Sequence, residues 1–150
     1  MKTIFDAAVR EGLIARIASI DGSEKALWGK MNPQQMLKHC IIFDEWVLGE
    51  NAPTYKRSFI GLVFGRLALK SVMKDDGPLG RNTPTLAEFK VRERQGDVGI
   101  EKAKWIGILP RYARFSNPRF IHDFFGKMTE EQIGRLAYKH ADHHLRQFGR

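Results

Sequence analysis

Cysteine is almost absent from this chain: among 150 residues there is one, Cys40. A single cysteine excludes an intramolecular disulfide and every metal or redox motif that is built on a pair of cysteines. This scarcity is typical of proteins in a reducing compartment, so we expect a cytoplasmic protein. Cys40 lies at the edge of a helical apolar stripe, where we interpret it as a small buried hydrophobe rather than a nucleophile.

Long hydrophobic runs are missing too. The strongest apolar run, from Phe59 to Phe64, is far too short to span a bilayer, and Arg57 and Arg66 flank it. Residues 1–20 lack the uninterrupted apolar core and the small-residue cleavage site of a signal peptide. We therefore expect no membrane partner and no secretion.

Motifs for nucleic acids and nucleotides are also lacking. The formal net charge is +8, but lysine and arginine occur in nearly every segment and form no dense basic block. No glycine-rich phosphate loop, nucleophile elbow or internal repeat is visible. We expect a solvated basic surface, a small-molecule substrate and no specific nucleic-acid partner. The sequence leaves open whether the protein is a homodimer.

What the chain does contain is helical periodicity over most of its length, with apolar residues recurring at a spacing of about 3.6. The predicted helices are Thr3–Ile20, Asn32–Leu48, Tyr55–Lys74, Asp97 to Leu109 or Tyr112, and a last helix between Thr129 and Gly149. Between them, Phe89 to Arg94 fits a short extended piece. We predict one domain over residues 1–150, an all-α antiparallel four-helix bundle with irregular connecting segments.

Two helix starts are marked clearly. Asn32 is a suitable N-cap before Pro33 at the first helical position, and Gly49 supplies the stop of the same helix. Thr129 and Gln132 have the spacing of a capping box and open the last helix.

The last helix carries two histidines, His140 and His144, four residues apart. At about 100° per residue their imidazoles lie roughly 40° apart on one face, close enough to ligate one cation. The pair could instead complement the negative end of the helix dipole. His143 lies to the side of both, so we interpret it as a flanking residue.

A third ligand is available from a distant helix. His39 stands within the apolar stripe of the second predicted helix, near Met36, Phe43 and Trp46 on the helical wheel. A single histidine on such a face is more often a core residue bonded to a backbone carbonyl. Three buried imidazoles in one bundle interior are harder to satisfy without a metal. We therefore predict that His39, His140 and His144 bind a metal ion.

Two stretches of the sequence together resemble a known superfamily. The stretch Trp28-Gly29-Lys30-Met31-Asn32-Pro33-Gln34-Gln35-Met36-Leu37-Lys38-His39, followed by His140-x-x-His143-His144-x-x-Gln147, resembles the DinB-like superfamily of metal-binding four-helix proteins. It is most similar to a branch of unknown function, which it also matches at Pro84-Thr85 and from Phe124 to the last helix. The resemblance covers nearly the whole chain. It implies an up-down-down-up bundle of the DinB/YfiT-like type and maps the superfamily's metal triad onto His39, His140 and His144.

The residues beside this triad have less specific expectations. Gln147, Arg146 and His143 are candidates for orienting the ligands or contacting substrate, although each is also a common polar residue near a helix end. The branch usually has His-Pro before Phe-Gly, whereas this chain has His122-Asp123-Phe124-Phe125-Gly126. His122 is therefore a weaker candidate for orienting a ligand or contacting substrate, and its simpler interpretation is a residue that caps or braces its loop.

Three neutral imidazoles leave open positions on a divalent ion, zinc or nickel above all, with iron or manganese also compatible. Characterised relatives in the superfamily include transferases and isomerases, so the resemblance implies a transferase that uses a low-molecular-weight thiol. Metal-dependent hydrolysis is one alternative. Another is a non-catalytic, stress-associated metal-binding protein in which the ion pins two helices together. Neither the substrate nor a general base can be identified from the sequence.

Overall fold

The helix caps predicted from sequence are present in the computed structural model, which describes residues 1–51, 53–81, 83 and 87–150. The side chain of Asn32 accepts a hydrogen bond from the amide of Gln35 at 2.8 Å, and the side chain of Gln35 accepts one from the amide of Asn32 at 3.1 Å. Thr129 and Gln132 form the second capping box. Gly49 ends its helix at φ 80°, in the left-handed region that glycine adopts without strain.

The described residues are all-helical, as the sequence predicts. The five α-helices are α1 (Ala7–Ala18), α2 (Pro33–Leu48), α3 (Phe59–Val72), α4 (Val98–Ile108) and α5 (Glu130–Gln147). Two short 3-10 helices span Ala87–Phe89 and Leu109–Arg114. No described helix is both long and apolar enough to cross a bilayer.

Several predicted helix ends were wrong, and the reasons are local. The first helix begins at Ala7 rather than Thr3, because the side chain of Asp6 accepts from the amide of Ala8 and caps it. The third begins at Phe59 rather than Tyr55 because Ser58 is its cap.

The connecting segments also differ from the prediction. Phe89 ends a 3-10 helix, and residues 90–96 are irregular rather than a strand. Pro110 breaks the fourth helix as expected: α4 ends at Ile108 and the chain continues as a 3-10 helix. Pro84 and Thr85, which contribute to the resemblance, lie outside the described residues.

The core is built by four of the five helices. Helix α2 packs against α4 and α5, and α1 packs against the same two. Because α2 has neighbours on most sides, it is buried around nearly its whole circumference rather than along one stripe. The fully buried large side chains of this core include Leu13, Ile17, Met36, Leu37, Ile41, Trp105, Tyr112 and Leu145.

Helix α3 sits differently. Its glycines Gly61 and Gly65 press against the backbone of Phe124, so α3 lies on the segment between the 3-10 helix Leu109–Arg114 and α5 rather than among α1, α2, α4 and α5. The end of α3 reaches that core through the partly buried side chain of Val72, and the C-cap residue Met73 packs there too. The run from Phe59 to Leu67 is consequently held outside it.

Candidate metal centre

The packing of α2 against α5 brings together the three histidines predicted as ligands. The Nε2 atoms of His39 and His140 lie 3.1 Å apart. Three ring nitrogens, one each from His39, His140 and His144, all lie within 4.8 Å of one another. Ring centroids are 4.7 to 5.0 Å apart for the three pairs. The predicted triad is therefore a spatial cluster.

Two of the three imidazoles are oriented by a hydrogen bond on the side away from the cluster. Nδ1 of His39 donates to the backbone carbonyl of Phe89 at 2.9 Å. Nδ1 of His144 donates to Oε1 of Gln147 at 3.0 Å. Since a carbonyl oxygen can only accept, each bond places the proton on Nδ1 and leaves Nε2 with a free lone pair in the neutral ring.

Gln147 is itself held from the opposite side. Its Nε2 donates to the carbonyl oxygen of Trp28 at 2.7 Å, which assigns the orientation of the amide. Gly29 follows at φ 80°, and a Cβ there would overlap the Gln147 amide nitrogen. The amide of Leu27 also donates to the backbone carbonyl of Gln147 at 2.8 Å. The loop before α2 thus fits closely around the residue that orients His144.

Burial keeps the cluster uncharged. It lowers the pKa of His39, with a smaller opposing effect from the bond to Phe89. It lowers the pKa of His144 to about 3 and that of His140 well below its usual range, each ring also being disfavoured as a cation by its histidine neighbours. All three are therefore neutral at pH 7, the protonation state that a metal ligand requires.

The three histidines differ in how much of each residue is exposed. His39 and His144 are buried at 4 % and 7 % exposure, whereas His140 is only partly buried. The ring of His140 stacks on Phe43, with centroids 3.7 Å apart and planes 18° apart. Phe43 therefore supports the ring of His140 from the core side.

These residues fit a divalent ion by their donor chemistry and spacing. Two imidazoles on a tetrahedral ion, with metal to nitrogen bonds of about 2.0–2.1 Å, have their nitrogens about 3.3–3.4 Å apart. The closest pair already lies near that separation, at 3.1 Å. In the absence of an ion, His140 can donate one proton to His39. A metal satisfies all three lone pairs together.

The flanking residues have separate partners. His143 is 9 % exposed and packs edge-on against His144 and Trp28, with ring centroids 5.0 and 5.6 Å apart. Arg146 turns away and donates to Asp142 at 2.6 Å, the carboxylate that also binds Arg16 of α1. Of the flanking residues predicted on α5, Gln147 is the one bonded to a triad ring.

His122 lies in the turn before α5. Its Nδ1 accepts hydrogen bonds from the amides of Phe124 and Phe125, at 3.1 and 3.3 Å. His122 and Gly126 also exchange backbone hydrogen bonds across this turn. These contacts correspond to the loop-bracing role expected from the sequence.

Two contributors to the cluster were missed by sequence reasoning. The Phe89 carbonyl left no sequence signal, because a backbone oxygen from a loop 50 residues away has no side-chain signature. Phe43 was visible as a member of the α2 stripe, four residues after His39. Because Phe43 lies one helical turn from His39, its ring could have been predicted to pack against the histidine cluster.

Comparison with known proteins places the chain beside one described family. The family model "Protein of unknown function (DUF1569)" matches residues 7–150, a range that includes all three triad histidines. No curated protein matches the chain, and no solved structure does.

Proposed function

The chain belongs to the DUF1569 family of proteins of unknown function, and from that premise we propose that His39, His140 and His144 bind a divalent metal ion. The observation that carries this proposal is the pair of outward hydrogen bonds, from His39 to Phe89 and from His144 to Gln147. Such bonds orient the free Nε2 atoms toward one point and raise their basicity, as they do in zinc sites. Zinc and nickel suit three imidazoles best, with iron and manganese as alternatives.

We further propose that the centre is catalytic and that the protein is a thiol-dependent transferase of the DinB-like type. A three-histidine ion has open coordination positions, and when bound it supplies Lewis acidity that lowers the pKa of a thiol or water ligand. The donor set supports this proposal, because three histidines leave a position that a closed structural site would fill with a fourth protein ligand. Burial of His39 and His144 keeps most water away from the cluster.

A non-catalytic role is the second candidate, and one observation favours it. His39 and His144 are only 4 % and 7 % exposed, so little of these two ligands is open to a substrate. In this alternative the ion joins α2 to α5 and contributes binding energy to folding. Metal-dependent hydrolysis remains the alternative chemistry at the same centre.

The fold that goes with this proposal is an antiparallel four-helix bundle of the DinB-like type. Its support is the mutual packing of α1, α2, α4 and α5, with the ligands on α2 and α5. We place the protein in the cytoplasm, since its only cysteine, Cys40, is free and buried.

Cobalt substitution tests the proposal, because Co²⁺ reports its coordination by visible absorption. Metal-free protein is titrated with Co²⁺ and then with a low-molecular-weight thiol such as glutathione or cysteine. We expect an intense tetrahedral spectrum, followed by a near-ultraviolet sulfur-to-cobalt band when thiol is added. A spectrum that responds to pH but not to thiol would favour the hydrolase. A spectrum insensitive to both would favour the non-catalytic role, and no spectrum at all would refute the centre.

A further inference from the structure

Helix α3 presents an unusually apolar face to solvent. Phe59 is 80 % exposed and Leu67 72 % exposed, and four other large apolar side chains of this helix are more than half exposed: Ile60, Leu62, Val63 and Phe64. Scattered exposed hydrophobes are ordinary, but six on one helix form a contiguous patch. Such patches mark surfaces that bind a partner or a membrane.

The backbone contacts of α3 keep this face turned outward. A Cβ at Gly61 or Gly65 would overlap the carbonyl oxygen of Phe124, so the glycine side of the helix lies directly on that backbone. The amide of Ser58 donates to the carbonyl of Asp123 at 3.0 Å, and Arg66 donates to the carbonyl of Lys127 at 3.1 Å. Rotating α3 to bury the patch would break all of these contacts.

The charge along the patch is mainly positive. From Asn51 to Lys74 the sequence contains no acidic residue, although Asp75 and Asp76 follow directly. The exposed basic side chains of this stretch are Lys56, Arg57, Arg66, Lys70 and Lys74. The apolar side chains occupy the first turns of α3, and most of the basic ones occupy or follow its last turns. Long basic side chains in such positions can reach a polar surface while their stems stay in an apolar layer.

We propose that α3 docks the protein onto the surface of an anionic lipid bilayer. The helix lies in the plane of the interface, with the apolar patch among the acyl chains and the basic residues on the headgroup phosphates. At 14 residues α3 is about 21 Å long, too short to span a hydrocarbon core of about 30 Å. The association is therefore peripheral, and it does not depend on the proposed metal centre.

Charge favours a bilayer over a second copy of the chain. Two copies joined through α3 would bring two identical basic surfaces together, which costs free energy, whereas anionic headgroups are attracted to them. This proposal departs from our sequence-based expectation of no membrane partner. That expectation rested on the short length of the Phe59 to Phe64 run and on the dispersed positive charge, and the exposure of the run is not visible in the sequence.

Vesicle co-sedimentation tests the proposal. Wild-type protein is mixed with vesicles of phosphatidylcholine alone, or of phosphatidylcholine with phosphatidylglycerol. We expect binding to the anionic vesicles that weakens as salt is raised. Leu67→Asp should lower the partition coefficient roughly tenfold or more, because a leucine that inserts among the acyl chains is replaced by a charge that the headgroups repel. Ile100→Asp, at a position 67 % exposed on α4, is the matched control and should bind like wild type.

Reversing the charge of two lysines tests how much the basic residues contribute to binding, separately from the apolar patch. Lys70→Glu with Lys74→Glu should also abolish binding to anionic vesicles, whereas Lys25→Glu with Lys90→Glu makes the same change of net charge elsewhere and should weaken binding much less. Equal loss in both pairs would overturn the docking surface, as would equal binding to both vesicle types or no binding. Light scattering tests the competing occupant: a wild-type dimer that Leu67→Asp converts to monomer would assign the face to a second copy.

Discussion

His39 and His140 are separated by 101 residues in the chain, and their Nε2 atoms lie 3.1 Å apart. Two neutral imidazoles at this distance share at most one proton, whereas a divalent ion can be bound by both of them and by His144 together. The predictions below test this cluster and the features of the fold that surround it.

The first prediction concerns metal content. His39→Ala, His140→Ala and His144→Ala should each lose most of the metal that co-purifies with wild-type protein, because two imidazoles hold a divalent ion far more weakly than three. Elemental analysis of protein purified without added metal measures this directly. His143→Ala is the matched control, being a histidine of the same helix that lies beside the cluster, and it should keep its metal.

Equal metal content in wild type and all three variants would contradict the triad. Loss of metal in the His143 variant alone would indicate that His143 is the ligand on α5. Circular dichroism should accompany each measurement, since replacing a buried histidine also removes packing.

The second prediction concerns Gln147, which accepts from His144 and donates to Trp28. Gln147→Leu should weaken metal affinity by about 10- to 100-fold, because the ring of His144 loses the acceptor that orients it. Gln147→Glu keeps an acceptor and should retain more affinity. Competition with a chromogenic chelator gives the dissociation constants. Arg146→Leu, at the exposed neighbouring position, should leave the affinity unchanged, and a similar loss there would show that the effect is not specific.

The third prediction uses glycines in two different helices. Gly65→Ala should destabilise the protein by about 1–3 kcal/mol, since the new methyl group overlaps the Phe124 carbonyl and α3 must move. Gly12→Ala should instead stabilise it by up to about 1 kcal/mol, because nothing lies near that position in α1 and alanine favours a helix. Thermal unfolding and amide exchange of α3 check both. If Gly65→Ala left the amide hydrogen exchange of α3 unchanged, the close contact between α3 and Phe124 would be wrong.

The fourth prediction concerns the buried carboxyl of Asp44. It accepts hydrogen bonds from Nε1 of Trp105 and from the hydroxyl of Tyr112, both at 2.7 Å. Burial raises its pKa from 3.8 to about 7, and the two hydrogen bonds oppose the rise only in part. Between those values the folded protein retains a proton that the unfolded chain releases. The stability that Asp44 contributes is therefore greatest below about pH 4 and is lost as the pH rises through about 7.

Asp44→Asn should remove this pH dependence. Relative to the variant, the wild-type free energy of unfolding should fall by a few kcal/mol between pH 4 and 7 and then level off. Urea unfolding at a series of pH values provides the measurement. Glu11→Gln, at an exposed position of α1, is the control and should keep the wild-type slope. Parallel curves for wild type and Asp44→Asn would mean that the carboxyl is ionised in the folded state at all these pH values.

Much of the secondary structure was predictable because its signals are local. Asn32 and Thr129 specify helix starts through side chains three residues from their partners, and the caps are as predicted. Helix ends were less certain, because Asp6 and Ser58 compete as caps with other polar residues nearby. The placement of α3 could not be predicted, since an apolar sequence does not state which of its faces will find a partner.

By itself, the sequence determined that the chain is helical and that His140 and His144 share one face, because helix geometry relates residues four positions apart wherever the helix lies. Only the tertiary structure decided that His39 meets them, that a Phe89 carbonyl and the Gln147 amide orient two of the rings, and that the face around Leu67 stays exposed. These contacts join segments that are far apart in the chain. They follow from how the helices pack, and packing depends on the shape of the whole core rather than on any local pattern.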